Sequence, residues 1–372
     1  MRILNARPFP NAITFGHGAN GSTFLSVITK GTFELKNVPG PARWSKGQLP
    51  LFAEDQPFDP EQTGGLLKFE SDLVPFKPRS DIILVGRAHA PHGRLTKSVE
   101  VDVEVGDCRR RLLVFGDRMW SFPSDQADAI PYVVGPAEFL EMPLTYARAF
   151  GGIDKTAALR PDARGTAKPW CERNYHGRGF CAERTVAAID KTPLPNIEDP
   201  DDRIRTWDSH PKPVGCGFFP RNSKPRSDWF GTYDDTWKSE RAPRLPADFR
   251  FDAYNGADPS LQVSPYLVGN EPGALSNVTP GGGRIQFQLP GFRPVVTLIP
   301  KGPYRSLGAP KPTGTTAESN LDTVVFCPEA SLLYIVWRAT FGIATEDASE
   351  VADVRIEYAD LPPSTHQKFG SR

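Results

Sequence analysis

Val99, Val101, Val103 and Val105 alternate with Glu100, Asp102 and Glu104. A period of two gives an extended segment one dry face and one wet face, so this stretch predicts a half-buried β-strand. Gly106-Asp107 supplies a turn and residues 112–115 return, so residues 99–115 read as a β-hairpin. Residues 23–35 are rich in β-branched and aromatic side chains, and residues 81–90 centre on Ile82, Ile83, Leu84 and Val85. Both read as strands. Toward the C-terminus, residues 284–289, 295–299, 323–327, 332–339 and 351–358 carry the same signal. Pro328-Glu329-Ala330-Ser331 reads as the loop of a further hairpin.

Residues 123–280 follow a different pattern, with many prolines, glycines and aromatics and little apolar periodicity. Short helices are expected at residues 137–140, 146–150 and 234–240, none of ordinary helix length. Residues 154–168 and 302–320 have no apolar period and read as connectors. The expected fold is therefore mainly β. Two β-rich parts, sandwich- or barrel-like, at residues 1–122 and 281–372 flank a loop-rich middle with short helices, residues 123–280. The three are expected to form one composite body.

Composition sharpens this picture. Thirty-three glycines and 38 prolines make up about a fifth of the 372 residues, against roughly 12% on average. Proline lacks an N–H and clashes with the preceding helical turn, so long-helix bundles and coiled coils are excluded. Lys+Arg and Asp+Glu are both 44, a net charge of zero that argues against a nucleic-acid or anionic-membrane partner. No apolar stretch approaches a membrane span, and the opening MRILNARPFPN has no apolar core of signal-peptide length. The five cysteines, Cys108, Cys171, Cys181, Cys216 and Cys327, are scattered and odd in number. Free thiols and a cytoplasmic location are expected.

The chemical motifs favour structural readings. Gly16-His17-Gly18-Ala19-Asn20-Gly21 matches G-x-G-x-x-G, but residues 22–28 continue as a strand rather than the helix that a dinucleotide needs. Trp207-Asp208-Ser209-His210 holds the residue types of a hydrolase triad on one adjacent run, whereas triads draw their members from separate elements. His89 and His92, like Cys171, His176 and Cys181, complete no four-ligand zinc set. Glu198, Asp199, Asp201 and Asp202 form an acidic run that reads as a solvated or arginine-paired loop. Arg109-Arg110-Arg111, beside the hairpin turn, reads as exposed charge that keeps a sheet edge from pairing. No catalytic residue, metal site or cofactor is expected. The middle segment, with Trp170, Trp207, Trp229, Trp237 and many arginines, has the composition of a binding surface or of aromatic loop packing.

Seven strings in one order then stand out, residues 82–91 counting as the second. They are Glu70-Ser71-Asp72-Leu73-Val74-Pro75-Phe76-Lys77-Pro78-Arg79-Ser80-Asp81, running into residues 82–91; Val114-Phe115-Gly116-Asp117-Arg118-Met119-Trp120; and Met142-Pro143-Leu144-Thr145-Tyr146-Ala147-Arg148-Ala149-Phe150-Gly151-Gly152. Leu194-Pro195-Asn196-Ile197-Glu198-Asp199-Pro200, Gly231-Thr232-Tyr233-Asp234-Asp235-Thr236-Trp237 and Leu245-Pro246-Ala247-Asp248-Phe249 follow. This set, spanning residues 8–300, resembles a bacterial family catalogued as a domain of unknown function and encoded beside spike-protein and toxin genes of type VI secretion systems. The resemblance implies an adaptor, or chaperone, that binds a secreted effector toxin or its delivery domain and assists its loading onto the spike. Its partners would be that effector and the spike-tip and spike proteins. The family pattern often has Glu where this chain has Ala147, which removes a charge partner from Arg148. The resemblance brings no catalytic residue. Asp72, Lys77, Asp81, Arg148, Tyr233, Asp234, Trp237, Asp248 and Phe249 are the residues expected either to touch the partner or to hold the motifs in shape. Asp72, Lys77 and Asp81 would form an ion-pair network at a strand entrance, and Tyr233 and Trp237 would share one face of a short helix. The rival readings are a carbohydrate-active hydrolase on a β-scaffold and a structural part of the spike or baseplate.

Overall fold

The valine row faces inward. Val99, Val101, Val103 and Val105 are at most 5% exposed, on a strand Ser98–Val105 that pairs antiparallel with Cys108–Phe115. Gly106, at φ 56°, opens the turn between them. The computed structural model describes residues 2–18, 20–59, 65–122, 130–154, 168–182, 186–300, 314–343 and 351–363. The hairpin is the centre of a five-stranded antiparallel sheet, in the order Ile197–Glu198, Cys108–Phe115, Ser98–Val105, Pro272–Ser276, Arg284–Gln288.

A six-stranded sheet runs Gln262–Val263, Ser80–Leu84, Asn320–Cys327, Leu332–Ile343, Thr23–Glu34, Asn11–His17. All its pairs are antiparallel except Ser80–Leu84 with Asn320–Cys327. Four further strands, Arg2–Asn5, Val351–Asp360, Phe292–Pro300 and Thr315–Glu318, form a third sheet. Strands from residues 1–122 and 281–372 thus hydrogen-bond within the same sheets. The protein is mainly β, and among the described residues no sheet closes into a barrel.

The two 12-residue strands explain how three sheets share their apolar surface. On Leu332–Ile343, the residues Leu333, Ile335, Trp337, Ala339 and Phe341 lie on one face, by the period of two. Leu333, Ile335 and Trp337 pack in the core shared with the five-stranded sheet. Ala339 and Phe341, with Leu25 and Val27 of the neighbouring strand, join Val296, Leu298, Val354 and Ile356 of the third sheet in a second core. The opposite face of these strands bears Lys30, Tyr334 and Arg338, all buried, and Leu49, Phe52, Asp72 and Val74 lie over it.

Helical structure is short, as expected from the proline content. The six-residue helix Asp235–Glu240 and the 3-10 turn Tyr146–Arg148 occupy two predicted places. The helix expected at residues 137–140 is absent. Phe139 instead exchanges two main-chain hydrogen bonds with Thr96, at 2.9 and 3.1 Å, which hold it extended. The strand expected at 81–90 divides into Ser80–Leu84 and Arg87–His89, and the latter leaves the six-stranded sheet to pair with Glu141–Pro143. The connector expected at 302–320 ends in the edge strand Thr315–Glu318; residues 302–313 of it, and residues 155–167 of the 154–168 connector, lie outside the described residues.

Candidate functional site

The first motif string crosses the buried polar face of the six-stranded sheet. Lys30 Nζ donates to Asp72 Oδ2 at 2.8 Å and sits 3.4 Å from the Phe52 ring centre and 4.1 Å from that of Tyr334. Burial lowers the Lys30 pKa, against the pull of Asp72. Lys77 Nζ donates to Asp81 Oδ2 at 2.8 Å and to Thr323 Oγ1 at 2.9 Å. Asp81 also accepts the main-chain N–H groups of Gly256 and Ala257 and the side-chain amide of Asn255. Thr323 passes the network to Asp322, which accepts from Arg338 Nε at 2.9 Å. Burial raises the Asp322 pKa, opposed by Arg338 and Lys77. Asp72 is not a direct member of the Lys77–Asp81 pair, because the sheet brings Lys30 to it first. Asp72, Lys77 and Asp81 are 7%, 6% and 0% exposed, and their bonds fix the segment to the sheet.

Glu70 heads the same string and forms a contact that local pattern does not reveal. Arg226 Nη1 and Nη2 donate to its two carboxylate oxygens at 2.5 and 2.8 Å. The remaining Arg226 donors reach Phe219 O and Ala253 O. Burial works to raise the Glu70 pKa, but Arg226, aided by Arg221, brings it down to about 2.

Three other strings converge at one place. Asp117 accepts from Arg148 Nη1 at 3.1 Å and from the Asn196 amide at 3.0 Å, with Arg178 3.5 Å away. Arg118, the next residue, donates to buried Glu198 at 2.7 Å and to Pro195 O. Arg148, which lacks a glutamate before it, therefore finds its carboxylate at Asp117, and Ala147 contributes a carbonyl to Arg178. Gly151 and Gly152 hold φ of 141° and 102° beside residues 174–177; a Cβ on either would lie 2.2 or 2.4 Å from a carbonyl oxygen. The acidic run is arginine-paired: Asp199 with Arg110 and Asp201 with Arg111.

The basic triplet departs from its expected role. Arg109 and Arg111 point outward and pair with Asp102, Glu104 and Glu100 of the adjacent strand. Arg110 lies opposite Val103 on the inward face, and its side chain is 15% exposed. In a strand, three consecutive residues cannot all face water.

The last two strings build a motif region that stays at the surface. Asp248 accepts from Thr232 N at 3.0 Å and Thr232 Oγ1 at 2.8 Å, and those bonds lower its pKa. Asp234 caps the helix Asp235–Glu240 through Trp237 N at 2.8 Å. Trp237 Nε1 donates to Arg244 O at 2.8 Å. The rings of Tyr233 and Trp237 meet edge-on at 4.7 Å, although Tyr233 precedes the N-cap Asp234 and so does not share a helix face with Trp237 as expected; Tyr233 is 55% exposed. Phe249 is buried and packs edge-on against Phe251, which in turn meets Phe76 and Phe24. The segment is thus fixed at its base and presents the Tyr233 ring outward beside half-buried Trp237. A second apolar surface, not read from the sequence, is the pairing of Met119–Ser121 with Tyr132–Val134, where Met119, Tyr132 and Val134 are each about half exposed.

The fold is mainly β, with some motif residues buried in ion-pair networks and others at the surface. The model of a family described as an uncharacterized protein conserved in bacteria (DUF2169) matches residues 20–338, and the chain belongs to that family. No curated protein and no solved structure matches it. Among the described residues no helix is long and apolar enough to cross a membrane.

Proposed function

We propose that this protein is a cytoplasmic adaptor that binds a type VI secretion effector, through the toxin or its delivery domain, and assists its loading onto the spike. The observation that supports this reading best is the exposed Tyr233 ring packed edge-on against half-buried Trp237, both in one of the strings on which the resemblance rests. Aromatic side chains supply much of the energy at protein interfaces. Here the Asp234 cap, the Asp248–Thr232 bonds and the Phe249 anchor order the rings before a partner arrives, which lowers the entropic cost of binding. Binding would be stoichiometric: the adaptor covers apolar surface on the client and yields it to the spike by competition. The carboxylates singled out in the sequence serve other ends, Glu198, Asp199 and Asp201 as arginine partners and Asp234 as a helix cap.

The test is removal of the protein from producing cells. The reading expects free client to fall and its association with the spike to be lost. Unchanged client level and spike association would contradict it. Co-sedimentation of many copies with assembled spike particles would point instead to a structural component.

A further inference from the structure

Arg110 leaves the inward sheet face at the end of the valine row and reaches a cavity of about 580 Å³. Three more cationic side chains line it: Arg173, Lys212 and Lys224. Val214 and Phe219, both buried, add apolar lining. The volume falls within the roughly 300–1,000 Å³ of cavities that hold ligands.

The charges in this cavity are unevenly satisfied. Three carboxylates line it, each already engaged. Asp258 accepts from Tyr146 Oη at 3.1 Å and from Ser260 N and Oγ. Asp202 accepts the Lys212 main-chain N–H at 3.0 Å. Asp199 accepts the Asp201 N–H at 2.9 Å and meets Arg110 at 3.4 Å. On the cationic side, Arg173 donates from Nη2 to the carbonyls of His210 and Pro211, both at 3.2 Å, and pairs with no carboxylate among the described residues. The Lys212 ammonium likewise has no ion pair among them, and the buried Arg110 Nε has no hydrogen bond among them. A guanidinium held only by carbonyl oxygens keeps its full charge and presents unused N–H groups that match a carboxylate.

We propose that this cleft binds a short acidic peptide segment, in which one or two carboxylates meet Arg173 and Lys212 and an adjoining apolar side chain rests on Val214 and Phe219. The three carboxylates in the wall disfavour a dense polyanion such as nucleic acid, and the apolar lining disfavours a small inorganic anion. The proposal rests on the adaptor reading only in assigning the segment to the client.

The test uses the purified full chain and a fluorescein-labelled peptide of alternating Asp and Leu, with the Asn-Leu peptide as control. The expected result is saturable anisotropy change with the Asp-Leu peptide and at least about tenfold weaker binding of the Asn-Leu peptide. Lys212→Glu and Arg173→Gln should each weaken Asp-Leu binding at least about tenfold. Lys212 is exposed, so its variant keeps the test independent of folding. No binding at about 1 mM peptide, equal binding of the Asn-Leu peptide, or full binding by Lys212→Glu overturns the proposal. Client capture from cells separates the two readings. Equal capture by Lys212→Glu and the native chain sinks the cleft as client site while the adaptor stands. No client captured by the native chain sinks the adaptor, while the peptide titration still decides the cleft.

Discussion

Arg226 grips Glu70 across 156 residues of sequence through two parallel hydrogen bonds, Nη1 to Oε1 at 2.5 Å and Nη2 to Oε2 at 2.8 Å. Both side chains are at most 5% exposed. The pair ties the segment over the six-stranded sheet to the loops of the middle region. Its carboxyl has a folded pKa of about 2 against an ordinary 4.5. A depressed folded pKa means that the stabilisation is fully present above about pH 4.5 and is lost as pH falls toward about 2. The shift corresponds to about 3 kcal/mol. Glu70→Gln is expected to cost about 3–5 kcal/mol at pH 7, because it leaves a buried guanidinium uncompensated. Urea unfolding of both proteins between pH 7 and pH 3 checks this: the gap between them should narrow as the medium becomes acidic.

Lys30 and Asp72 give a second test of the buried polar face. Lys30→Met leaves the Asp72 carboxylate with Phe52 N as its one remaining donor among the described residues and should cost about 3–5 kcal/mol. Adding Asp72→Leu should restore most of that, since two apolar side chains of similar size need no counter-charge. A double-mutant cycle in urea measures the coupling; additive costs would contradict the pairing.

Glu198 and Asp117 lie in neighbouring clusters but differ in burial, with side chains 1% and 68% exposed. Glu198→Ala should destabilise by about 3 kcal/mol, because Arg118 is left buried and unpaired. Asp117→Ala should cost less than about 1 kcal/mol, since water screens its pairs with Arg148 and Arg178. Thermal unfolding of the two variants should rank them in that order.

Burial pushes the Cys216 thiol up to about 12 and the Cys327 thiol to about 11. At pH 8 both are protonated thiols rather than reactive thiolates. Iodoacetamide should leave them unmodified in the native protein and label them in urea, as read by peptide mass analysis.

The sequence made the local structure legible and left the distant pairings hidden. The hairpin of Ser98–Val105 and Cys108–Phe115 and the helix Asp235–Glu240 declare themselves through period, turn and cap residues within a few positions. A run of three arginines suggests one shared environment, whereas the strand turns each neighbour to the opposite face and so places Arg110 inward. Glu70–Arg226 and Lys30–Asp72 join residues 156 and 42 positions apart. No local period encodes such contacts; they exist only once the sheets have assembled. Of the candidate residues, Asp72, Lys77 and Asp81 are interior supports and Arg148 is a half-buried one. Asp234, Asp248 and Phe249 shape the surface segment, and Tyr233, beside half-buried Trp237, is what it displays.

The central claim is that this Tyr233–Trp237 pair meets a secretion client. The most direct measurement is a pull-down of the tagged full chain from its own cells, with mass analysis and sizing of the eluate, for the native protein and Tyr233→Ala. Tyr233 is exposed, so its removal should shift stability by no more than about 0.5 kcal/mol. The account predicts a stoichiometric toxin or spike-tip protein with the native chain and at least about tenfold less of it with the variant. A native chain that elutes alone, or a variant that retains the partner in full, would contradict it.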